Sequence, residues 1–166
     1  MGLQIITLDE CSINLTARMK KVWALKGSKP VGFLKHSIKR THIIGALTGE
    51  KVIIEYAERV DSEKIIEFLE NLKTYYNKFV LVMDNAGWHR SGKMKKYFQE
   101  NKESIIVEYL PPYSPELNPT ETCWKIIRRN VLDSNLFYDL LELKCGIKEF
   151  TNNHNWNINL FNYLCP

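Results

Sequence analysis

The stretch that most constrains this chain runs over residues 79–124. It opens with Phe79-Val80-Leu81-Val82-Met83, an apolar run that ends abruptly in Asp84-Asn85. A run this short, bounded by polar residues, reads as a buried strand delivering Asp84 to its exposed carboxyl end. The stretch closes on Tyr109-Leu110-Pro111-Pro112-Tyr113-Ser114-Pro115-Glu116-Leu117-Asn118-Pro119-Thr120-Glu121. Proline stiffens this loop, Asn118 can cap a helix, and Pro119 suits the first helical position, so Glu121 falls in the first turn. Two acids are each held at a rigid boundary, as a metal site or an acid/base pair requires.

A second strand repeats the pattern. Leu3-Gln4-Ile5-Ile6-Thr7-Leu8 is β-rich and is expected to end in Asp9-Glu10; taken alone, those acids would simply open a polar turn. Residues 18–33 place short apolar pieces between Lys and Gly, which predicts a hairpin or strand insertion. Trp23, among Lys20, Lys21, Lys26 and Lys29, suits either stacking on nucleic acid or packing at a sheet edge under solvated lysines. Residues 41–47 and 51–56, around Thr48-Gly49-Glu50, predict an antiparallel hairpin. The period then changes. Ile65, Leu69, Leu72 and Tyr76 mark an amphipathic helix capped by Asp61. Ser91 caps another through Glu100, with Met94, Tyr97 and Phe98 inward. Ile105-Ile106-Val107 makes a further strand. A helix from Pro119 to about Leu132 buries Trp124, Ile127 and Val131. A last one from about Leu136 carries Leu136, Leu140, Leu143, Ile147 and Phe150 on its core face. The Asn-rich tail from residue 152 shows no regular period.

These elements predict a single α/β domain over residues 1–166, with a mixed five-stranded sheet flanked by helices. Three strands form an antiparallel meander, and the strands at 79 and 104 add parallel to the first on its other side. The topological switch point then falls between the first strand and the strand at 79, where open α/β sheets bind ligands. Asp9 and Asp84, 75 positions apart, meet there.

The chemistry follows from residue type. No His pair or Cys/His set has zinc spacing, and there is neither a phosphate-cradling glycine loop nor a nucleophile elbow. Asp9, Asp84 and Glu121 offer oxygen ligands suited to Mg²⁺ or Mn²⁺. Clustered carboxylates repel one another, so a cation relieves a standing cost. Two such ions about 3.5–4 Å apart serve phosphodiester chemistry. The net charge of +4 permits a polyanionic partner. The four cysteines are scattered without ligand spacing and are expected to be reduced. No apolar run approaches about 18 residues and no basic signal region opens the chain, so a cytoplasmic protein is expected.

Asp84-Asn85-Ala86-Gly87-Trp88-His89, the proline stretch through Glu121, and Trp124 together resemble the catalytic core of mariner-superfamily transposases, in their prokaryotic insertion-sequence branch. Leu8-Asp9-Glu10, Trp23, Gly27 and Ile44-Gly45-Ala46-Leu47 follow the same order, and the likeness covers residues 3–132. It implies an RNase H-like fold and an Asp-Asp-Glu triad of Asp9, Asp84 and Glu121, with 36 residues between the last two. It also implies two Mg²⁺ (or Mn²⁺) ions and cleavage and strand transfer on double-stranded DNA, at element ends and target. A homodimer on DNA and a nucleoid-associated location follow. The family usually carries a helix-turn-helix DNA-binding domain ahead of the first Asp; Asp9 stands almost at the start of this sequence, so either a separate reading frame is expected to supply that half or the chain is a catalytic fragment. Thr120 replaces a larger aliphatic residue, at a position expected to face the surface.

Other readings stand beside these. Glu121, three residues after Asn118, could merely complete a capping box. Glu116 is the rival third ligand. Glu10 points to the opposite face from Asp9 if the strand persists. His89 suits either contact with a phosphate or water, or a structural hydrogen bond. Asn85, Lys93, Lys96, Lys125 and Arg128 are candidate DNA contacts, solvated helix faces being the plain alternative for the cations. A catalytically silent DNA-binding remnant and an RNase H-like nuclease on another nucleic acid are the competing functions.

Overall fold

The computed structural model describes residues 3–15, 23–29, 37–133 and 135–164. Most of the hairpin expected over 18–33, with Lys20 and Lys21, lies outside them. Within them, Trp23 is fully exposed, so it is not packed on a sheet edge.

Five strands, β1 (Gln4–Asn14), β2 (Arg40–Leu47), β3 (Val52–Ala57), β4 (Phe79–Met83) and β5 (Ile105–Tyr109), form one sheet in the order β3-β2-β1-β4-β5. The meander β1-β2-β3 is antiparallel, while β4 and β5 run parallel to β1. This is the mixed sheet the residue pattern predicts. Thr48 and Lys51 close the β2–β3 turn through a backbone bond of 2.9 Å, with Gly49 supplying a φ of 91°.

One strand is longer than its sequence indicates. β1 does not end at Leu8. It continues through Asp9 to Asn14, because residues 9–14 keep their antiparallel partners from Gly45 to Arg40. Its parallel pairing with β4 stops at Thr7↔Val82. Asp9 is therefore mid-strand, yet just past the last rung shared with β4. Two residues further along the same register, Asp9 falls opposite Asp84.

Period-two alternation divides the sheet between two layers. Ile6, Leu8, Ile44, Ala46, Phe79, Leu81 and Met83 face α1 (Ser62–Tyr75) and α2 (Gly92–Glu100). Asp61 caps α1 by accepting from the Glu63 and Lys64 amides, and Ser91 caps α2 by accepting from Met94. Cys11, Ile13, Ile43 and Leu47 face α3 (Thr120–Ile127), the π-helical turn Arg128–Leu132 that extends it, and α4 (Leu140–Asn153). α4 begins at Leu140 rather than near Leu136, since Asp139 accepts from the Glu142 amide and caps it there; Leu136 is left exposed. The tail is ordered by the same layer. Trp156 and Leu160 are buried, the Ile158 amide donates to Gly49 O, and a short helix α5 (Phe161–Leu164) follows. Among the described residues no helix is long and apolar enough to cross a membrane.

Candidate active site at the carboxyl edge of the sheet

Asp9, Asp84 and Glu121 line one cleft of about 420 Å³, walled by Asn85 and the proline loop of Leu110 to Pro115. Asp9 is delivered by β1 on the α3 face, and Asp84 follows directly on β4. Glu121 arrives from α3, which is fastened to β1 by a buried pair of hydroxyls. Thr120 Oγ1 lies 2.7 Å from Thr7 Oγ1 and donates to Thr7 O at 3.1 Å. Thr120 is thus fully buried, not surface-facing. A larger aliphatic there would have to displace this contact. The cap of α3 is Pro119 rather than Asn118, and the helix has no side-chain cap; one residue earlier, Asn118 Oδ1 accepts from the Thr120 amide at 3.2 Å. Its own N–H donates to Pro115 O, so the reciprocal half of a capping box is not made. Glu116 is exposed on the 3-10 turn Pro115–Leu117 and lies outside the cleft.

The three acids differ in environment. Asp9 is buried, and burial pushes its carboxyl up to about 7 against the bond it accepts from the Trp124 indole; the charges of Glu121 and Glu10 add to the rise. That bond, Trp124 Nε1 to Asp9 Oδ2 at 2.8 Å, lies under the sheet where Gly45 leaves room for the indole. A Cβ on Gly45 would sit 2.3 Å from the ring. Asp84 is half exposed and held low, first by the hydrogen bond from His89, and also by the Ala86 amide, both outweighing partial burial. Both bonds fall on Oδ1, at 2.8 and 2.9 Å.

The DDE superfamily endonuclease family matches residues 4–144. The chain belongs to that family. It is 25% identical over 148 residues to the insertion element IS630 uncharacterized 39 kDa protein of Shigella sonnei, covering 86% of this chain and 43% of that protein. It is also 43% identical over 60 residues to the uncharacterized protein y4pE/y4sA of Sinorhizobium fredii, 36% of this chain and 41% of that one. The chain thus spans less than half the length of these relatives. Its fold is that of the Mos1 transposase paired-end complex with left transposon end (TM-score 0.76, 18% identity, 93% of this chain and 49% of that one). The Mos1 strand transfer complex matches similarly (TM-score 0.77, 18% identity, 97% and 50%). The RNase H-like architecture of these DDE domains is therefore the one found here.

Within this DDE framework, His89 is placed differently from a phosphate ligand. It is 1% exposed, with Nδ1 donating to Asp84 and Nε2 donating to Glu10 Oε1, each at 2.8 Å. Burial alone would lower its pKa, but the two carboxylates outweigh it and raise the ring to about 10. Neither nitrogen is left for a phosphate. Asn85 donates its amide to Leu110 O and so clamps the start of the proline loop. Lys93 pairs with Glu63, and Lys96 reaches toward Glu100, both on the exposed side of α2 and away from the cleft. Lys125 and Arg128 follow Glu121 at i+4 and i+7, along the stripe of α3 that starts at the cleft. Sequence reasoning missed Glu10, Trp88, Thr7 and the indole of Trp124 as site residues. Each acts through a contact across the sheet; only the strict alternation of β1 could have placed Glu10 on the His89 side.

As a donor set, three carboxylates around one cleft fit a hard divalent cation, which would relieve the repulsion that Glu121 and Glu10 exert on Asp9. Their carboxyl groups stand apart across the cleft: among the described residues, no three His, Cys, Asp or Glu groups are close enough to hold an ion. Asp9 leans to Trp124 and Asp84 to His89.

Proposed function

We propose that this chain is the catalytic domain of a transposase, which cleaves double-stranded DNA at an element's end and joins the freed 3′-hydroxyl to target DNA. The observation carrying this reading is the convergence of Asp9, Asp84 and Glu121 on one cleft, in a chain of the DDE endonuclease family. Mos1 paired-end complexes have been solved with Mg and with Mn, which supports a divalent metal here. Asp9, Asp84 and Glu121 would hold two such ions, which when bound supply Lewis-acid stabilisation at the phosphodiester.

The remaining work belongs to the chain. Asp84 lines the cleft and is pinned through Oδ1, with its other oxygen free to serve as a ligand. The prolines and the Asn85 clamp give the cleft a stiff wall that fixes the DNA strand against the acids. Lys125 and Arg128 lie along the helix stripe leading away from Glu121 and would track the DNA phosphates. Lys93 and Lys96 would reach DNA only by giving up their partners on α1 and α2. A homodimer would bring two element ends together. Recognition of those ends falls to a separate DNA-binding half, consistent with the greater length of the Shigella sonnei relative.

The test is Mg²⁺- or Mn²⁺-dependent cleavage of DNA by the chain and its Asp84→Asn variant. The variant should fold normally and lose more than about 100-fold in rate, exceeding the loss expected from an outer-shell change alone. Retained cleavage overturns the reading, and preferential cleavage of RNA–DNA hybrids would replace it with an RNase H-like nuclease.

A further inference from the structure

Glu10 sits in the middle of β1 with a side chain only 10% exposed, on the sheet face opposite Asp9. An ionised carboxylate so enclosed needs partners. It has one for each oxygen: His89 Nε2 donates to Oε1 at 2.8 Å, and Trp88 Nε1 donates to Oε2 at 3.3 Å. The imidazole is buried and bonded at its other nitrogen to Asp84 Oδ1. Tyr109 adds a bond to His89 O at 3.2 Å, anchoring the loop that carries the ring. The result is a continuous path, Trp88 to Glu10 to His89 to Asp84, from one sheet face around the carboxyl edge to the other.

We infer that Glu10, acting through His89, is a positioning residue for Asp84: it fixes the imidazole so that Asp84 is held by one oxygen with the other free to serve as a ligand. The inference rests on the reading of Asp84 as a metal ligand. Its physical basis is that a carboxylate free to rotate must be ordered when an ion arrives, whereas one already held by an outer-shell donor need not be. Glu10 never touches the cleft, so its effect must pass through the ring.

Two measurements on the full chain test it. The first is Mn²⁺ affinity by calorimetry for the native chain, Glu10→Gln and Glu10→Ala, at a temperature where all three are folded. A relay predicts weakening in that order, with Glu10→Ala losing about 10-fold. Glu10→Gln keeps an acceptor for His89 and so loses less. In cleavage assays kcat falls while KM for DNA holds. A role limited to stabilising the sheet would lower Tm and leave Mn²⁺ affinity untouched. The second needs no metal. The Ala86 amide donates to the same Asp84 oxygen as His89, so its hydrogen exchange reports whether Asp84 is held. It should quicken in Glu10→Ala. Unchanged exchange overturns the relay whatever the metal result. Quickened exchange in Glu10→Ala, where the native chain itself binds no Mn²⁺ with or without DNA, upholds the relay and removes the metal reading instead. If Glu10→Ala fails to fold, Glu10→Gln carries both measurements.

Discussion

The two faces of the sheet are built on different principles. The face under α1 and α2 is almost wholly apolar: Phe68, Leu69, Phe79, Leu81 and Met94 pack without a polar atom among them. Its buried polar residues, Ser62 and His89, stand at the carboxyl edge, where Ser62 Oγ donates to Trp88 O. The face under α3 and α4 interleaves its apolar core with Thr7, Asp9, Thr41, Thr120 and Thr151, all buried. One of its two buried tryptophans, Trp124, is at once core and hydrogen-bond donor to Asp9. The apolar interior of the first face supplies stability, and chemistry is placed from the second face and from the polar carboxyl edge of the first. Substitutions should therefore separate the faces by what they change as well as by how much.

The largest effect should come from the apolar face. Phe68 is fully buried in the α1 layer, and Phe68→Ala should cost about 3–5 kcal/mol in denaturant unfolding. Because nothing in that layer touches Asp9 or Glu121, the folded variant should keep native Mn²⁺ affinity and cleavage below its lowered Tm. A loss of affinity larger than the loss of folded protein would break the division between the faces.

Trp124→Phe comes next and should behave in the opposite way. The substitution keeps an aromatic ring beside Gly45 but removes the indole N–H that donates to Asp9 Oδ2. Loss of a buried hydrogen bond to a charged acceptor costs about 1.5–3 kcal/mol. Functional damage should exceed that: with Asp9 held less firmly, Mn²⁺ affinity and cleavage should both fall in protein that circular dichroism shows to be folded. Native cleavage by Trp124→Phe would return the indole to the status of core filler.

The same contrast decides what could be read from the sequence. The apolar face was legible because its residues follow simple periods: alternation in the strands, and four-three-four spacing in α1. The meander, the parallel addition of β4 and β5, and the meeting of Asp9 with Asp84 followed from those periods and from short turns. The polar face was not legible in this way. The length of β1 depends on β2 pairing with residues 9–14, which no local signal announces. Thr120 looks like any helix N-terminal threonine until Thr7, 113 residues earlier, is placed against it. Glu10 reads as the wrong-face neighbour of Asp9 until His89 is found there. The start of α4 was lost for a smaller reason: Leu136 falls on the apolar stripe, but Asp139 caps the helix downstream of it.

The smallest expected effect concerns polar contacts at the rim of the apolar face, and it sharpens the contrast with the buried ones. Glu70 on α1 accepts from Tyr97 on α2 at 2.8 Å and pairs with Lys73 at 3.0 Å, with half its side chain in solvent. The Tyr97 hydroxyl first, and the Lys73 charge with it, hold the carboxyl below its usual 4.5. A lowered carboxylate stabilises the fold above its unfolded pKa and loses that contribution as pH falls through the folded value. Glu70→Gln should therefore cost at most about 0.5 kcal/mol at pH 7, since solvent screens an exposed pair. The difference from the native chain should shrink below pH 4.5 and vanish once both forms are neutral. Urea titrations at pH 7 and at about pH 3 would measure it. A pH-independent difference would mean that the Tyr97 contact acts by packing rather than by charge. A difference as large as that of Trp124→Phe would mean that the rim of this face carries polar weight comparable to the buried seam on the other.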